Sequence, residues 1–433
     1  MTSILFLLYL QLNTSIQPLQ THLDMIYSLL APSEIKTTIN LPASKSISNR
    51  ALIINALASE KAPIHNLSDC DDTLVMIKAL TENKKEVDIL AAGTAMRFLT
   101  AYFSTQKGCK TITGTQRMQE RPINILVDAL RNLGAQIKYT KQEGFPPLQI
   151  TGHSLKGGEI TIQGNISSQY ISALLLIAPH LEKGLIIHID GELISRPYVD
   201  ITLNIMQDFG ASVHWASKNQ LIVKPNAYKA IPYTIENDWS AASYWYALTA
   251  LTPKAEITLP NLYSNSYQGD SQGKHLFNQL GVSTEHIDHR VILRKKKCNI
   301  KELKANFIEI PDLAQTFVVV CSLLNIPFKF TGLQSLKIKE TDRIEALIQE
   351  MKKLGFPLKS PNNDTLIWSG EKIDSENKPL IKTYEDHRMA MAFAPAALQY
   401  SNLLIEHPEV VTKSYPNFWK DLSKAGFRIS KQL

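Results

Sequence analysis

Thr341-Asp342-Arg343-Ile344-Glu345-Ala346-Leu347-Ile348-Gln349-Glu350-Met351-Lys352-Lys353-Leu354-Gly355 reads as one amphipathic helix with its stop signal attached. Ile344, Leu347, Ile348, Met351 and Leu354 fall at helical spacing, Thr341 can cap the start, and Gly355 can take the left-handed conformation that ends a helix. The same ending recurs at Leu133-Gly134, Phe209-Gly210, Leu280-Gly281 and Ala425-Gly426, so the five glycines lie 76, 71, 74 and 71 residues apart. A short alternating or β-branched run follows, as in Ala135-Gln136-Ile137-Lys138-Tyr139 or Ala211-Ser212-Val213-His214-Trp215. Such a period is too long for a solenoid and suggests copies of one α/β unit. The chain has room for six, although the first, near Leu80, lacks the glycine.

Helix starts carry the charge. Lys339 and Glu340 precede the Thr341 helix. Pro122, a favoured first-turn residue, puts Arg121 at a helix N-terminus. Ile47, Ala51, Ile54 and Leu57 form a helical face beginning just after Lys45 and Ser46. Free backbone N–H groups beside a cation make an anion site.

The 433 residues allow two or three domains at about 150 residues each. With 44% apolar and 20% charged residues, composition is that of a globular protein, against disorder or a fibre. The net charge of +6 suits small anionic substrates without requiring nucleic acid. No apolar run reaches the roughly 18 residues of a membrane span. Cys70, Cys109, Cys298 and Cys321 form no CxxC pair, which argues against disulfides and zinc and fits a cytoplasmic protein. The apolar start Ile4–Leu10 has no basic residue ahead of it, the first being Lys36, so residues 1–24 read as a dispensable extension before Met25. No GxGxxG occurs, and Gly269-Asp270-Ser271-Gln272-Gly273-Lys274 is one residue short of a P-loop and reads as a loop.

Chemistry-bearing residues cluster in Leu41-Pro42-Ala43-Ser44-Lys45-Ser46-Ile47-Ser48-Asn49-Arg50, Ala92-Gly93-Thr94-Ala95-Met96-Arg97-Phe98, Arg117-Met118-Gln119-Glu120-Arg121-Pro122 and Ser167-Ser168-Gln169-Tyr170. Further clusters are Ser195-Arg196-Pro197-Tyr198, Ile310-Pro311-Asp312, Lys339-Glu340-Thr341-Asp342-Arg343, Asp386-His387-Arg388-Met389-Ala390-Met391 and Lys413-Ser414-Tyr415-Pro416. Each alone could be surface. Together they set seven cations (Lys45, Arg50, Arg121, Lys339, Arg343, Arg388 and Lys413) beside two candidate acid/base groups, Asp312 and Glu340.

From Leu41 to Phe418, in unbroken order, these motifs closely resemble the EPSP synthase family, the 3-phosphoshikimate 1-carboxyvinyltransferases. The resemblance implies an α/β fold of two similar domains, each of three βαβαββ units with inward-facing helices (an inside-out α/β barrel), and a cleft between them. Residues 43–235 would form one domain, on the 3-phosphoshikimate side. Residues 25–42 plus 236–433 would form a discontinuous second, with the phosphoenolpyruvate side and the carboxylates.

The activity implied is transfer of the enolpyruvyl group of phosphoenolpyruvate to the 5-hydroxyl of 3-phosphoshikimate, in the shikimate pathway to chorismate and aromatic amino acids. Lys45, Ser46, Arg50, Ser167, Ser168, Ser195, Ser335 and Lys339 would hold 3-phosphoshikimate, bordered by Tyr198. Lys45, Gly93, Arg121, Arg343, Arg388 and Lys413 would hold phosphoenolpyruvate, with Gln169 between the substrates. Asp312 would serve the hydroxyl and Glu340 the C3 carbon, while Lys45 and Lys339 carry protons or stabilise charge.

No metal or cofactor is expected, no nucleic-acid or membrane partner, and a monomer. The sister enzyme acting on UDP-N-acetylglucosamine typically has a loop cysteine where this chain reads Gly114-Thr115-Gln116-Arg117-Met118. A polyphosphate- or RNA-binding module would interleave aromatics with the cations, and a catalytically dead homologue is separable only by assay. The chain departs from common family residues at Ala91 and Ser335, each in place of Asn, and at Phe98 in place of Pro.

Overall fold

Helices that are apolar all round must be buried all round. In the computed structural model, which describes residues 25–165, 167–401 and 403–432, every residue of the helix Ala314–Leu323 is buried. The helix Trp239–Leu251 is buried along nearly its whole length, as is Ser168–Ile177. These helices face inward, and small sheets wrap around them with one face in and one out. Strand Leu185–Asp190 shows the alternation, with Leu185, Ile187 and Ile189 buried and the residues between them more exposed.

Six sheets result, three around each of two hydrophobic cores. One unit shows the connectivity. Strand Gly158–Gln163, helix Ser168–Ile177, parallel strand Leu185–Asp190 and helix Arg196–Asp208 lead into the hairpin of Val213–Ser217 and Gln220–Val223. The five repeat glycines all have positive φ, between 84° and 101°, as a left-handed helix stop requires. The unit without the glycine also lacks the hairpin. Its helix Asp71–Thr81 leaves through Glu82 in extended conformation, and its sheet is the two-stranded pair of Ile64–His65 with Tyr233–Thr234.

One core gathers residues from Ala43 to Ile235; the other gathers Leu29 to Leu41 and Trp239 to Phe427. The first strand, Ile26–Leu30, lies between Leu403–Glu406 and Arg428–Gln432, and Glu34–Thr38 pairs parallel with Lys254–Pro260. The chain passes between cores at two adjacent points, where Ser44 N–H donates to Glu236 O (2.8 Å) and Asp238 N–H donates to Pro42 O (2.9 Å). Residues 1–24 lie outside the described residues.

Several local expectations need correction. The cap of the Thr341 helix is Asp342, whose carboxylate accepts from Ile344 N (3.1 Å) and Glu345 N (3.2 Å), so the helix runs Arg343–Lys353. Two adjacent capping residues compete there, and the carboxylate also meets the helix dipole. Pro122 is not in a first turn: Ile123 is the cap and the helix is Asn124–Asn132. The tertiary bond of Ile123 N to Gly144 O (2.9 Å) sets that turn. The first helix starts at Lys45 itself, with Ser44 as cap. The loop reading at Gly269 is replaced by a 3-10 turn, Gly269–Gln272, running into helix Gly273–Gln279, because Phe277 and Leu280 anchor it in the core.

Candidate active site between the two cores

Helix N-termini from both cores point at one cleft. From one side come Lys45–Leu57, Gly93–Thr105, Ser168–Ile177 and Arg196–Asp208; from the other come Trp239–Leu251, Arg343–Lys353 and His387–Phe393. The cleft is lined by Lys45, Ser46, Arg50, Gly93, Arg121, Ser167, Ser168, Gln169, Ser195, Tyr198, Asp312, Ser335, Lys339, Glu340, Arg343 and Arg388. Lys413 is not in the lining but touches Glu340, Nζ to Oε1 at 3.0 Å. Residues more than 300 positions apart in the chain therefore share one surface.

The cations are not equivalent. Arg343, 1% exposed, spends its guanidinium on three carboxylates: Asp386 (Nε to Oδ2, 2.6 Å), Glu340 (Nη2 to Oε2, 3.0 Å) and Asp312 (Nη1 to Oδ1, 3.2 Å). Arg388 donates to Asp312 Oδ2 (2.8 Å) and to its backbone oxygen (3.1 Å), and Lys339 Nζ lies 3.6 Å from Asp312 Oδ1. Arg50 is held by neutral acceptors, namely Thr202 Oγ1, Ser46 O, Ser172 Oγ and Tyr198 O, and burial pushes its pKa down to about 10. Arg121 differs from all of these. Among the described residues its guanidinium has no hydrogen-bond or ion-pair partner, and it rests against Gly93, where a Cβ would lie 2.8 Å from Nη1.

Burial opposes ionisation of Asp312, yet Arg388, Lys339 and Arg343 hold its carboxyl well below the usual range. Burial likewise opposes ionisation of Glu340, and Lys413, Arg343 and Arg121 overcome it in the same direction. Both are therefore carboxylates at neutral pH, able to accept protons. Burial would depress Lys45, but Asp72 at 3.2 Å leads a set of negative neighbours that leaves it raised and charged.

Four groups escaped the motif reading. Asp72 pairs Lys45, and buried Arg97 bridges Gly93 O and Pro122 O at 3.2 Å each. Asp386, fully buried, positions both Arg343 and the backbone N of Arg388 (2.9 Å). Asp270, from the segment read as a loop, reaches the Tyr198 hydroxyl at 3.2 Å. Arg97 and Asp386 stood inside quoted motifs without a role assigned; Asp72 and Asp270 have no local signal. Of the departures, Ala91 is exposed, Ser335 is buried in the cleft wall, and Phe98 is buried with the Arg50 guanidinium 5.3 Å from its ring centre. Among the described residues no cluster of three or more His, Cys, Asp or Glu is arranged to hold a metal, and no helix is long and apolar enough to cross a membrane.

A cleft rich in anion-binding groups, built on sixfold-repeated α/β units, has close counterparts. A family model described as EPSP synthase (3-phosphoshikimate 1-carboxyvinyltransferase) matches residues 29–88 and 80–422. The chain is 61% identical over 405 residues to a 3-phosphoshikimate 1-carboxyvinyltransferase of Bacteroides fragilis (strain YCH46), covering 94% of this chain and 99% of that one. It is 37% identical over 419 residues to the protein of that name from Vibrio cholerae serotype O1 (strain M66-2), covering 90% and 97%. A solved EPSP synthase from Acinetobacter baumannii superposes with a TM-score of 0.74 over 94% of this chain and 100% of that one; at 22% identity it speaks for the fold. Matches of this identity, running nearly end to end, leave one assignment: the chain belongs to the EPSP synthase family.

Proposed function

We infer that the cleft joins 3-phosphoshikimate and phosphoenolpyruvate, giving 5-O-(1-carboxyvinyl)-3-phosphoshikimate and phosphate, with the residues assigned as follows. The observation that carries the assignment is the pair of ionised carboxylates, Asp312 and Glu340, joined through Arg343, beside Arg121, whose guanidinium has no hydrogen-bond or ion-pair partner among the described residues. Arg121, Gly93, Arg343, Arg388, Lys413 and the start of helix Gly93–Thr105 receive phosphoenolpyruvate. Ser46, Ser167, Ser168, Ser195, Ser335, Arg50 and Lys339 receive 3-phosphoshikimate, with Lys45 and Gln169 between. Asp312 takes the proton of the 5-hydroxyl as its oxygen attacks C2 of phosphoenolpyruvate, and the C2=C3 electron pair takes up at C3 a proton that Lys413 passes through Glu340. In the second step the C2–O bond to phosphate breaks and Glu340 takes the C3 proton. Lys413, 3.0 Å from Glu340, is the proton carrier adjacent to it, which leaves Lys45 and Lys339 the alternative expected of them, stabilising charge. The surrounding cations are in place before reaction, so they stabilise developing charge at little reorganisation cost.

The two hydrophobic cores support a division into residues 43–235 and residues 25–42 plus 236–433. Water-soluble substrates and cysteines without a disulfide among the described residues suit a cytoplasmic setting.

The test is phosphate release from the two substrates by the pure protein and by Asp312→Asn and Glu340→Gln. Each variant should lose on the order of 10²-fold or more in kcat while KM changes little. A raised KM at unchanged kcat would make the carboxylates anchors for their neighbouring cations instead.

A further inference from the structure

Asp270 lies on the 3-10 turn Gly269–Gln272, 6% exposed, outside every motif assigned above. The turn is pressed onto helix Arg196–Asp208, where a Cβ on Gly269 would collide with Pro197. The Asp270 carboxylate accepts from the Ser240 hydroxyl and from the Tyr198 hydroxyl, the latter at 3.2 and 3.4 Å. The same Tyr198 oxygen lies 3.2 Å from Asp312 Oδ2. One phenolic proton is thus placed between two carboxyl groups, and it can satisfy only one of them at a time.

We propose that Asp270 is a positioning residue for the general base: through the Tyr198 hydroxyl it sets the proton affinity of Asp312. This rests on Asp312 being the base. When Asp270 carries a proton it donates to the Tyr198 oxygen, and Tyr198 in turn donates to Asp312, which weakens Asp312 as a proton acceptor. When Asp270 ionises, it draws the Tyr198 proton to itself and adds a second negative charge beside Asp312, making Asp312 a stronger base. Tyr198 stays protonated in both states, because burial and then the two carboxylates push its pKa up.

The two carboxyl groups are unequal. Asp312 touches Arg388, Arg343 and Lys339, whereas the direct partners of Asp270 are hydroxyls. The charged groups facing Asp270 are Asp312, Arg388 and Asp238. Burial and then Asp312 push its pKa up to about 6, while Arg388 and the Ser240 bond pull the other way. The pair titrates as a unit, and its upper step falls where an enzyme operating near neutrality can use it.

The test compares pH profiles of kcat for the wild type, Asp270→Asn and Ser240→Ala. Asn fills the same volume and keeps a donor toward Tyr198, so it mimics the protonated state permanently. Asp270→Asn should lower kcat about 10-fold at pH 7.5, leave both KM values within about 3-fold, and remove an acid limb near pH 6. Ser240→Ala removes a bond that favours the carboxylate and should move that limb upward in pH. Substrate phosphates also titrate near pH 6, but they are common to all three proteins, so the difference between profiles is what counts.

Infrared titration of the substrate-free protein supplies a readout independent of turnover. A protonated-carboxyl band disappearing with a midpoint near pH 6 should be present in the wild type and missing in Asp270→Asn. Profiles of Asp270→Asn that superimpose on the wild type, or a wild-type protein without that band, would overturn the relay. If Asp312→Asn is inactive while Asp270→Asn matches the wild type, the relay fails and the base assignment stands. If Asp312→Asn retains its kcat, the base assignment itself fails.

Discussion

Replacing Gly93 by Ala separates stability from substrate binding, because the added carbon helps one and harms the other. Gly93 is the first residue of helix Gly93–Thr105 and does not have positive φ, so Ala fits its backbone. Helix propensity and the smaller entropy of the unfolded chain favour Ala by up to about 1 kcal/mol. The new Cβ, however, would stand 2.8 Å from Arg121 Nη1, where ordinary contact begins at 3.4 Å. The guanidinium must retreat by about 0.6 Å, which is the difference between those two distances. A charge-assisted hydrogen bond to substrate contributes about 1.5–3 kcal/mol, and a flexible side chain displaced this little forfeits only part of it. A loss of about 1–2 kcal/mol corresponds to a rise of about 5–30-fold in KM for phosphoenolpyruvate. KM for 3-phosphoshikimate should stay within about 2-fold, since its expected contacts lie beside Ser167 and Ser168.

Steady-state phosphate release at saturating 3-phosphoshikimate measures the first effect, and urea denaturation measures the second. The Gly93→Ala, Arg121→Lys pair should be less than additive, because both act on one guanidinium. An unchanged phosphoenolpyruvate KM in Gly93→Ala, or full additivity, would refute the argument.

A chain starting at Met25 should fold and turn over normally, whereas one starting at Ala31 loses an interior strand of the sheet and should not fold; circular dichroism and turnover distinguish them. Asp312 and Glu340 are held below their ordinary range in the folded protein, so the unfolded chain takes up these protons first as pH falls. Their stabilisation is complete above about pH 5 and fades as pH drops through about 4. The urea midpoint should therefore fall between pH 7 and pH 4, with a shallower slope in Glu340→Gln; an identical slope would count against the electrostatic account. Thr412 Oγ1 to Asp71 Oδ2 (2.7 Å) at the exposed rim and the Tyr198 hydroxyl to Asp312 Oδ2 (3.2 Å) inside the cleft bridge the halves, and cations of both halves line the cleft, where a bound anion draws them together. Adding 3-phosphoshikimate should thus reduce the radius of gyration in X-ray scattering, and confirmed binding at constant radius would contradict a closing clamp.

The repeat was legible because its signal is steric and local: a glycine at positive φ ends a helix whatever surrounds it, and all five glycines behave so. Cap positions were less legible. Thr341 and Asp342 can both cap, and only the finished helix shows that Asp342 does. The bend at Ile123 depends on Gly144, which no window around Pro122 contains. The cleft residues were legible where several sat in one motif. Asp270 was not, since its meaning lies in a tyrosine 72 positions away and an aspartate beyond it. Nor could the sequence rank the cations. That Arg343 is saturated by carboxylates while the Arg121 guanidinium has no partner among the described residues follows from packing alone.

The place of strand Ile26–Leu30 also bears on how the protein is made. This segment emerges from the ribosome among the first, yet its neighbours, Leu403–Glu406 and Arg428–Gln432, are translated among the last. Residues 43–235 can assemble their core as soon as the chain reaches Ile235. At roughly 5–20 residues per second, the first strand then waits about 10–40 s for its partners. Throughout that interval an apolar edge stands open at one end of a nascent chain whose other end is still being built. Polysomes carrying this message should therefore be where chaperone occupancy is highest, between completion of the first core and release.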